Sequence, residues 1–399
     1  MTSPGVTFLA MPLADQLTCF AIATPGVESL LARELAALGI APGAIEPGGV
    51  EFSATRGQLA EALLWLRTAN RVTVRLATFG ARTFAELERH AAKVAWSDVI
   101  APGSSVHFRV TSKKSKLYHD GGIAERLERS VMAAVSGVTA IRAAGAAEEL
   151  ETAELQAGWI ARMQRIVVRV MRDEVTLSAD AAGPLMHLRG YRQAVAKAPL
   201  RETLAAALVM AGGWDPGLPL SDPMCGSGTI AIEAAMIARR MAPGRARRFA
   251  AQAWPGFEAG FAEARQRASG VELPHGAAEI TGQDRDAGAI SASIANAERA
   301  GVADDIRFSQ GTISTMTPDA GSGWVVTNPP YGARIGERTA LRDLYAVLGR
   351  VVRERRPGWG LAMLSADRML EGQLGMPMTE VLRTTNGGLP VRVVSSSLK

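Results

Sequence analysis

Apolar residues along this chain switch between strand-like and helix-like spacing, and the switches mark out its elements. Leu17 to Thr24 reads as a strand, broken by Pro25-Gly26. Leu30, Leu31, Leu35 and Leu38 then recur at helical spacing before Gly39. Gly48-Gly49 opens a strand from Val50 to Phe52, and Ala54 to Asn70 predicts a helix with Leu59, Leu63, Leu64 and Leu66 on its apolar side. Val72 to Phe79 alternates as a strand. This β-α-β-α-β order predicts a small α+β unit of the ferredoxin-like kind. A helix follows over Thr83 to Val94, then a turn at Ala101-Pro102-Gly103, a strand from Ser105 to Val110 and a helix from Ile123 to Val135. A hairpin is predicted from Arg165 to Met171 and Val175 to Ala179, turning at Arg172-Asp173-Glu174.

The carboxyl-terminal half alternates strand and helix. Leu188 to Gln193 is polar, basic and glycine-broken, which suits a domain boundary, and a helix over Leu200 to Met210 begins near Pro199. Strands are predicted at Leu218 to Leu220, Glu279 to Gln283, Ile306 to Phe308, Trp324 to Val326 and Gly360 to Leu364. Helices fall at Ile230 to Arg239, Ala287 to Arg299 and Leu341 to Arg353. Met378 to Arg383, the turn Asn386-Gly387-Gly388 and Val391 to Ser395 form a closing hairpin. Met241 to Pro274 reads as an insertion, rich in arginine (Arg245, Arg247, Arg248) and carrying Trp254-Pro255. The pattern is that of an α/β, Rossmann-like domain behind an α+β module.

Composition narrows the picture. At 399 residues two or three domains are expected, and 47% hydrophobic with 21% charged residues is ordinary for globular protein. No apolar run approaches the roughly 20 residues of a membrane span, and Met1 to Gln16 lacks the features of a secretory signal. Cys19 and Cys225 are far apart and without metal-ligand spacing, so neither a zinc site nor a disulfide framework is indicated. These features together predict a cytoplasmic protein without a metal. The net charge of +5 permits a polyanionic partner.

Candidate chemistry centres on Asn328-Pro329-Pro330-Tyr331, directly after a short apolar strand. The amide oxygen of Asn328 and the carbonyl of Pro329 can accept hydrogen bonds from an exocyclic amine, while Tyr331 stacks on its ring. Alone, the stretch reads equally as an Asn-Pro turn. Upstream, Asp222-Pro223-Met224-Cys225-Gly226-Ser227-Gly228-Thr229 links a strand to a helix. Gly226 and Gly228 allow close backbone approach, and the helix start offers free N–H groups. The third glycine of the nicotinamide fingerprint is missing, as is Gly-Lys-Ser/Thr, and Asp222 would repel a phosphate. Asp222 suits an ammonium instead. Asp284, at the end of the next strand, suits the hydroxyls of a ribose, while Asp286 reads as a helix cap. An ammonium site and a ribose site without a phosphate site describe S-adenosylmethionine better than NAD or ATP. In the amino-terminal half, three of the six lysines fall in Thr111-Ser112-Lys113-Lys114-Ser115-Lys116-Leu117-Tyr118-His119. Lysines and hydroxyls contact phosphates and an aromatic stacks on an unpaired base. A solvated basic loop has the same composition. Arg67, Arg71 and Arg75 could likewise face a phosphate backbone or plain solvent.

Thr24-Pro25-Gly26-Val27-Glu28, Leu66 to Val72 and Ser112 to His119 resemble the THUMP-containing RNA methyltransferases. Arg189-Gly190-Tyr191-Arg192, Ala198 to Ala205, Asp222 to Thr229, Trp254-Pro255 and Asn328 to Tyr331 look like the bacterial enzymes of that group that modify guanine N2 in 23S ribosomal RNA. The resemblance covers nearly the whole chain. It implies a ferredoxin-like unit over residues 1–80, a THUMP RNA-binding domain over 81–187 and a seven-stranded class I methyltransferase domain over 188–399. It further implies that Lys113, Lys114, Lys116, Tyr118 and His119 touch RNA. Asp222, Pro223, Cys225, Gly226, Ser227, Gly228, Thr229, Asp284, Thr312 and Asn328 would line the S-adenosylmethionine site, and Asn328, Pro329, Pro330 and Tyr331 would carry catalysis. The group usually has an acid after the third strand to read the adenine amino group, whereas this chain has Gln310-Gly311-Thr312-Ile313, leaving the backbone or Thr312 to do so. Some relatives carry a further methyltransferase domain, and none follows Lys399 here, so one reaction is expected. Gly332 to Gly336 reads as a basic loop that could close over an extruded base. The four-residue motif accepts any planar amine, so transfer-RNA guanine and adenine N6 remain alternatives, as does a non-catalytic RNA-binding assembly factor.

Overall fold

A computed structural model of the chain describes residues 15–141, 163–193, 200–319, 321–331 and 338–396. The predicted loop at Gly332 to Gly336 and Pro199 lie outside the described residues, and the helix predicted from Leu200 begins two residues later, at Glu202, because Arg201 is extended and serves as its N-cap. The first unit runs β1 (Leu17–Ala23), α1 (Glu28–Ala37), β2 (Pro42–Glu46), β3 (Gly49–Ala54), α2 (Arg56–Trp65) and β4 (Ala69–Gly80). Helix α2 starts at a capping box, Thr55 with Gln58. It stops sooner than its leucines predict, because Leu66 is extended (φ −64°, ψ 112°) and the chain turns into β4. Strand β2 escaped the sequence reading, since all five residues are exposed and show no apolar alternation.

The second unit comprises α3 (Phe84–Ala91), β5 (Ser105–Lys113), α4 (Asp120–Ala134), β6 (Thr139–Ala140), β7 (Met163–Met171) and β8 (Glu174–Asp180). The two units share one eight-stranded sheet, ordered β2-β3-β1-β4-β8-β7-β5-β6 and joined by antiparallel β4 and β8.

Beyond it come α5 (Glu202–Gly212), β9 (Leu220–Asp222), α6 (Thr229–Ala238), α7 (Glu258–Val271), β10 (Ile280–Asp284), α8 (Ala287–Ala300), β11 (Ile306–Gln310), β12 (Trp324–Thr327), α9 (Arg338–Arg355), β13 (Gly360–Ser365), α10 (Arg368–Gly372), β14 (Thr379–Asn386) and β15 (Leu389–Ser396). Their strands form a seven-stranded sheet, β11-β10-β9-β12-β13-β15-β14, parallel up to β13 and antiparallel beyond it. Strand order reverses between β9 and β12. In open α/β sheets ligands bind at such a switch point, beyond the carboxyl ends of the strands.

Several residues predicted to face solvent or phosphate instead make bonds inside the protein. Arg67 is 7% exposed and donates to the Met241 carbonyl, and Arg71 pairs with the buried Asp180. Both side chains are buried and bonded within the protein, so these arginines are internal struts rather than phosphate contacts. Arg75 is half-buried and reaches the Thr78 hydroxyl at 3.5 Å. The predicted boundary at Leu188 to Gln193 is likewise no loose linker. Arg189 donates to the Arg67 carbonyl at 2.6 Å and lies 3.5 Å from Glu233, to which the buried Tyr191 hydroxyl also donates at 3.1 Å. The insertion after Met241 completes the clasp. Gly244 donates its N–H to the Leu64 carbonyl at 2.9 Å, and Trp254 donates to the Gln164 side chain at 2.7 Å. Helix α7 lies on α2 with a salt bridge from Arg267 to Glu61 at 2.7 Å.

Candidate active site

Four consecutive parallel strands deliver polar groups to one edge of the second sheet. Strand β9 ends on Asp222, β10 on Asp284 and β11 on Gln310, and β12 ends one residue before Asn328. The ends of β9 and β12 are tied directly, because the Thr327 hydroxyl donates to Asp222 Oδ1 at 2.7 Å. The Met224 N–H donates to the same oxygen at 3.2 Å. Asp222 is 1% exposed, and burial pushes its carboxyl up to about 7 despite these two donors.

The glycine turn follows, with Pro223, Cys225, Ser227 and Thr229 buried around it. The Cys225 N–H donates to the Gln283 carbonyl at 2.9 Å, and the Gly226 N–H to Asp284 Oδ2 at 3.0 Å. One N–H expected to point at a ligand is thus already taken. Asp284 also accepts from the Asp286 N–H at 3.0 Å, and its two oxygens keep lone pairs for further donors. A Cβ on Gly226 would meet nothing within 4 Å, so the space above this residue is open. Gly228 is different: at φ +81° it caps α6, and a Cβ there would press on Phe308 and Ser293. Asp286 caps α8 as predicted, accepting from the Gly288 N–H at 2.8 Å.

At the far end, Thr312 is exposed and its carbonyl accepts from Gln283 Nε2 at 2.8 Å. Gln310 donates to the Arg285 carbonyl at 3.1 Å. This edge is built from amides and a hydroxyl rather than from an acid after the third strand.

Asn328 is half-buried, and its Oδ1 is buried without a hydrogen-bond partner among the described residues. An unsatisfied buried acceptor costs free energy unless a ligand completes it. Pro329 is buried and Pro330 exposed, with the Tyr345 hydroxyl 3.5 Å from the Pro330 carbonyl. Tyr331 packs partly buried against the main core, and its phenol oxygen accepts from Asn386 Nδ2 at 2.6 Å. Neither Thr327 nor Asn386 stood out in the sequence. Thr327 fell between the predicted strand and the motif, and Asn386 was read only as the first residue of a turn. The strand-end carboxylates, the open glycine turn and the orphaned amide oxygen fit S-adenosylmethionine and an amine acceptor.

The basic loop sits on the other sheet. Lys113 ends β5, Lys114 has φ +52°, and Lys116 donates its N–H to Asp173 Oδ1 at 2.7 Å. The Asp173 N–H returns a bond to Ser115 Oγ at 3.0 Å, so the β7–β8 turn braces the loop. The three lysines are exposed, and Tyr118 is 81% exposed, free to stack. His119 has a structural duty that composition hid: its Nδ1 accepts from the Gly122 N–H at 2.8 Å and caps α4. Among the described residues no cluster of His, Cys, Asp or Glu could hold a metal ion, and no helix is long and apolar enough to cross a membrane.

Comparison with known proteins gives this geometry a context. A family model for an RMKL-like methyltransferase domain matches residues 189–394, and one for an RlmL ferredoxin-like domain matches residues 18–73. The chain is 32% identical over 381 residues to a Synechocystis sp. protein described as an RNA methyltransferase, covering 95% of this chain and 96% of that one. It is 34% identical over 395 residues to the ribosomal RNA large subunit methyltransferase K/L of Syntrophotalea carbinolica, covering 94% of this chain but 53% of that protein, about half its length. A solved structure from Listeria monocytogenes, described as an N6-adenine-specific DNA methylase, superposes with a TM-score of 0.80 at 32% identity, covering 95% of this chain and 96% of the other. The methyltransferase SMU.472, solved with S-adenosylhomocysteine (SAH), superposes with a TM-score of 0.82 at 27% identity, covering 97% and 99%.

Proposed function

The chain belongs to the family of RMKL-like methyltransferases, and from that premise we propose that it methylates the exocyclic N2 amine of a guanine in structured RNA, with 23S ribosomal RNA as the substrate. The observation that carries the reading is the orphaned Oδ1 of Asn328 at the switch point of the sheet. S-adenosylmethionine, when bound, supplies the methyl group from a sulfonium that is already a good leaving group.

The residues of the chain do the positioning. Asp222 would hold the ammonium end of the cofactor, Asp284 would accept from its ribose hydroxyls, and Gln283, Gln310 and Thr312 would border its adenine. The target base leaves its stack at a cost of a few kcal/mol and lies on Tyr331. Asn328 Oδ1 and the Pro329 carbonyl accept the two amine hydrogens, which turns the nitrogen lone pair toward the methyl group. Holding donor and acceptor in line accounts for most of the rate. The amine nitrogen becomes strongly acidic once the new N–C bond has formed and loses its proton to solvent, so no strong base is required. Lys113, Lys114, Lys116 and Tyr118 grip the RNA at a distance from the reacting atoms.

Asn328→Ala lowers turnover by about 100-fold or more, the usual effect of removing a group aimed at the reacting centre, while calorimetry gives cofactor binding close to wild type. A normal methylation rate in this variant contradicts the assignment. The Listeria structure's description keeps adenine N6 as the second reading, because the motif grips an amine without reading the rest of the base.

A further inference from the structure

The hydrogen bond between Asn386 and Tyr331 gives the site a control that the motif itself lacks. We infer that Asn386 is a positioning residue for methyl transfer, setting the tilt of the Tyr331 ring and so of the base stacked on it. This rests on the stacking role proposed for Tyr331. The backbone at Tyr331 follows two prolines, and the ring packs against the core, so its phenol end decides the remaining tilt. That end is held by Asn386 Nδ2 at 2.6 Å.

Asn386 is itself well fixed. It faces Leu389 across the two-residue turn Gly387-Gly388, whose φ values of +57° and +85° are those of a type I′ hairpin. Three residues earlier, the Arg383 carbonyl lies where a Cβ on Gly26 would sit, only 1.6 Å from that position. The first turn of the ferredoxin-like unit therefore rests on the strand that carries Asn386. The hairpin does not require the amide: a half-buried residue at a turn corner can be hydrated or replaced by another turn former. The 2.6 Å bond serves the tyrosine.

The test uses single-turnover methylation of in-vitro transcribed, unmodified 23S ribosomal RNA by the full chain. Asn386→Ala and Tyr331→Phe each slow the step by about tenfold, a typical loss for one hydrogen bond at a reacting centre. The double variant is no slower than either, and S-adenosylmethionine affinity stays within about twofold of wild type, because both changes remove the same bond. A second readout is independent of turnover. The chain has only 4 tyrosines, so fluorotyrosine labelling gives a resolvable fluorine spectrum. Asn386→Ala shifts the resonance that Tyr331→Phe deletes and leaves the others in place. Losses that multiply in the double variant, an unimpaired Asn386→Ala, or an unmoved Tyr331 resonance overturn the inference. Tyr331→Ala separates the two levels. If it methylates normally, the stacking role falls and takes this inference with it. If it is slow while Asn386→Ala is normal, only the role of Asn386 falls.

Discussion

Asp222 holds its carboxyl at 1% exposure, and burial pushes it up to about 7, with the Thr327 hydroxyl and the Met224 amide pulling it back and Asp284 adding a further upward push. A folded pKa above the unfolded value means that the free protein binds this proton more tightly than the unfolded chain does. The stabilisation is complete below about pH 4 and is lost as pH rises through about 7. Asp222→Asn, which cannot ionise, removes that loss. The melting temperature of the cofactor-free variant therefore gains on wild type across this window, and a gap that does not change with pH contradicts the burial argument. A ligand ammonium beside Asp222 has the opposite preference, for the charged form. Wild-type binding of S-adenosylmethionine should then release a proton and tighten by up to about tenfold between roughly pH 6 and pH 8. Calorimetry in two buffers of different ionisation heat reads the released proton directly, and its absence would remove Asp222 from the ammonium site. Asp222 and Tyr331 stood out in the sequence because each sits in a local motif. Their partners did not: Thr327 meets Asp222 across 105 positions, and Asn386 meets Tyr331 across 55.

At the scale of elements, glycine turns decide how the pieces meet. Gly26 has φ +95°, and any Cβ would collide with the Arg383 carbonyl at 1.6 Å. Gly26→Ala should cost about 2 to 4 kcal/mol, combining left-handed strain with overpacking. Urea unfolding measures it, and a change below about 0.5 kcal/mol would mean that the contact is slack. The strongly periodic strands and helices were readable from sequence, since burial on one face imposes a repeat on the residues. Other elements were not, among them helix α7, which lies in the stretch read as an insertion. Strand β2 has no buried face to leave a pattern, and α2 ends inside a continuing apolar run because Leu66 packs into the core from an extended backbone. Strand β5 also runs three residues past its predicted end, carrying Thr111, Ser112 and Lys113 into the sheet. The first lysine of the basic loop thus stands on a strand, with Asp173 bracing the turn beyond it.

For the whole molecule, the arginines were the misleading signal. Formal charge marks them as surface or phosphate-binding groups, yet Arg67, Arg189 and Arg247 are spent on carbonyls between the sheets and Arg71 on a carboxylate within the first sheet. Lys113, Lys114 and Lys116 keep their charge exposed, and in the proposed function they meet the RNA. Replacing all three by alanine should weaken RNA binding and flatten the slope of log affinity against log salt by about 2 to 3. An unchanged slope would take the loop out of the RNA site. The clasp built from the Met241 to Pro274 insertion joins the sheet that carries this loop to the sheet that carries Asn328. One measurement tests the central claim of guanine-N2 methylation most directly: mass-spectrometric mapping of modified nucleosides in 23S ribosomal RNA from cells with and without the gene. The predicted result is a single N2-methylguanosine that disappears with the gene and returns with the wild-type chain but not with Asn328→Ala. Unchanged N2-methylguanosine, or the loss of an N6-methyladenosine in its place, would contradict it.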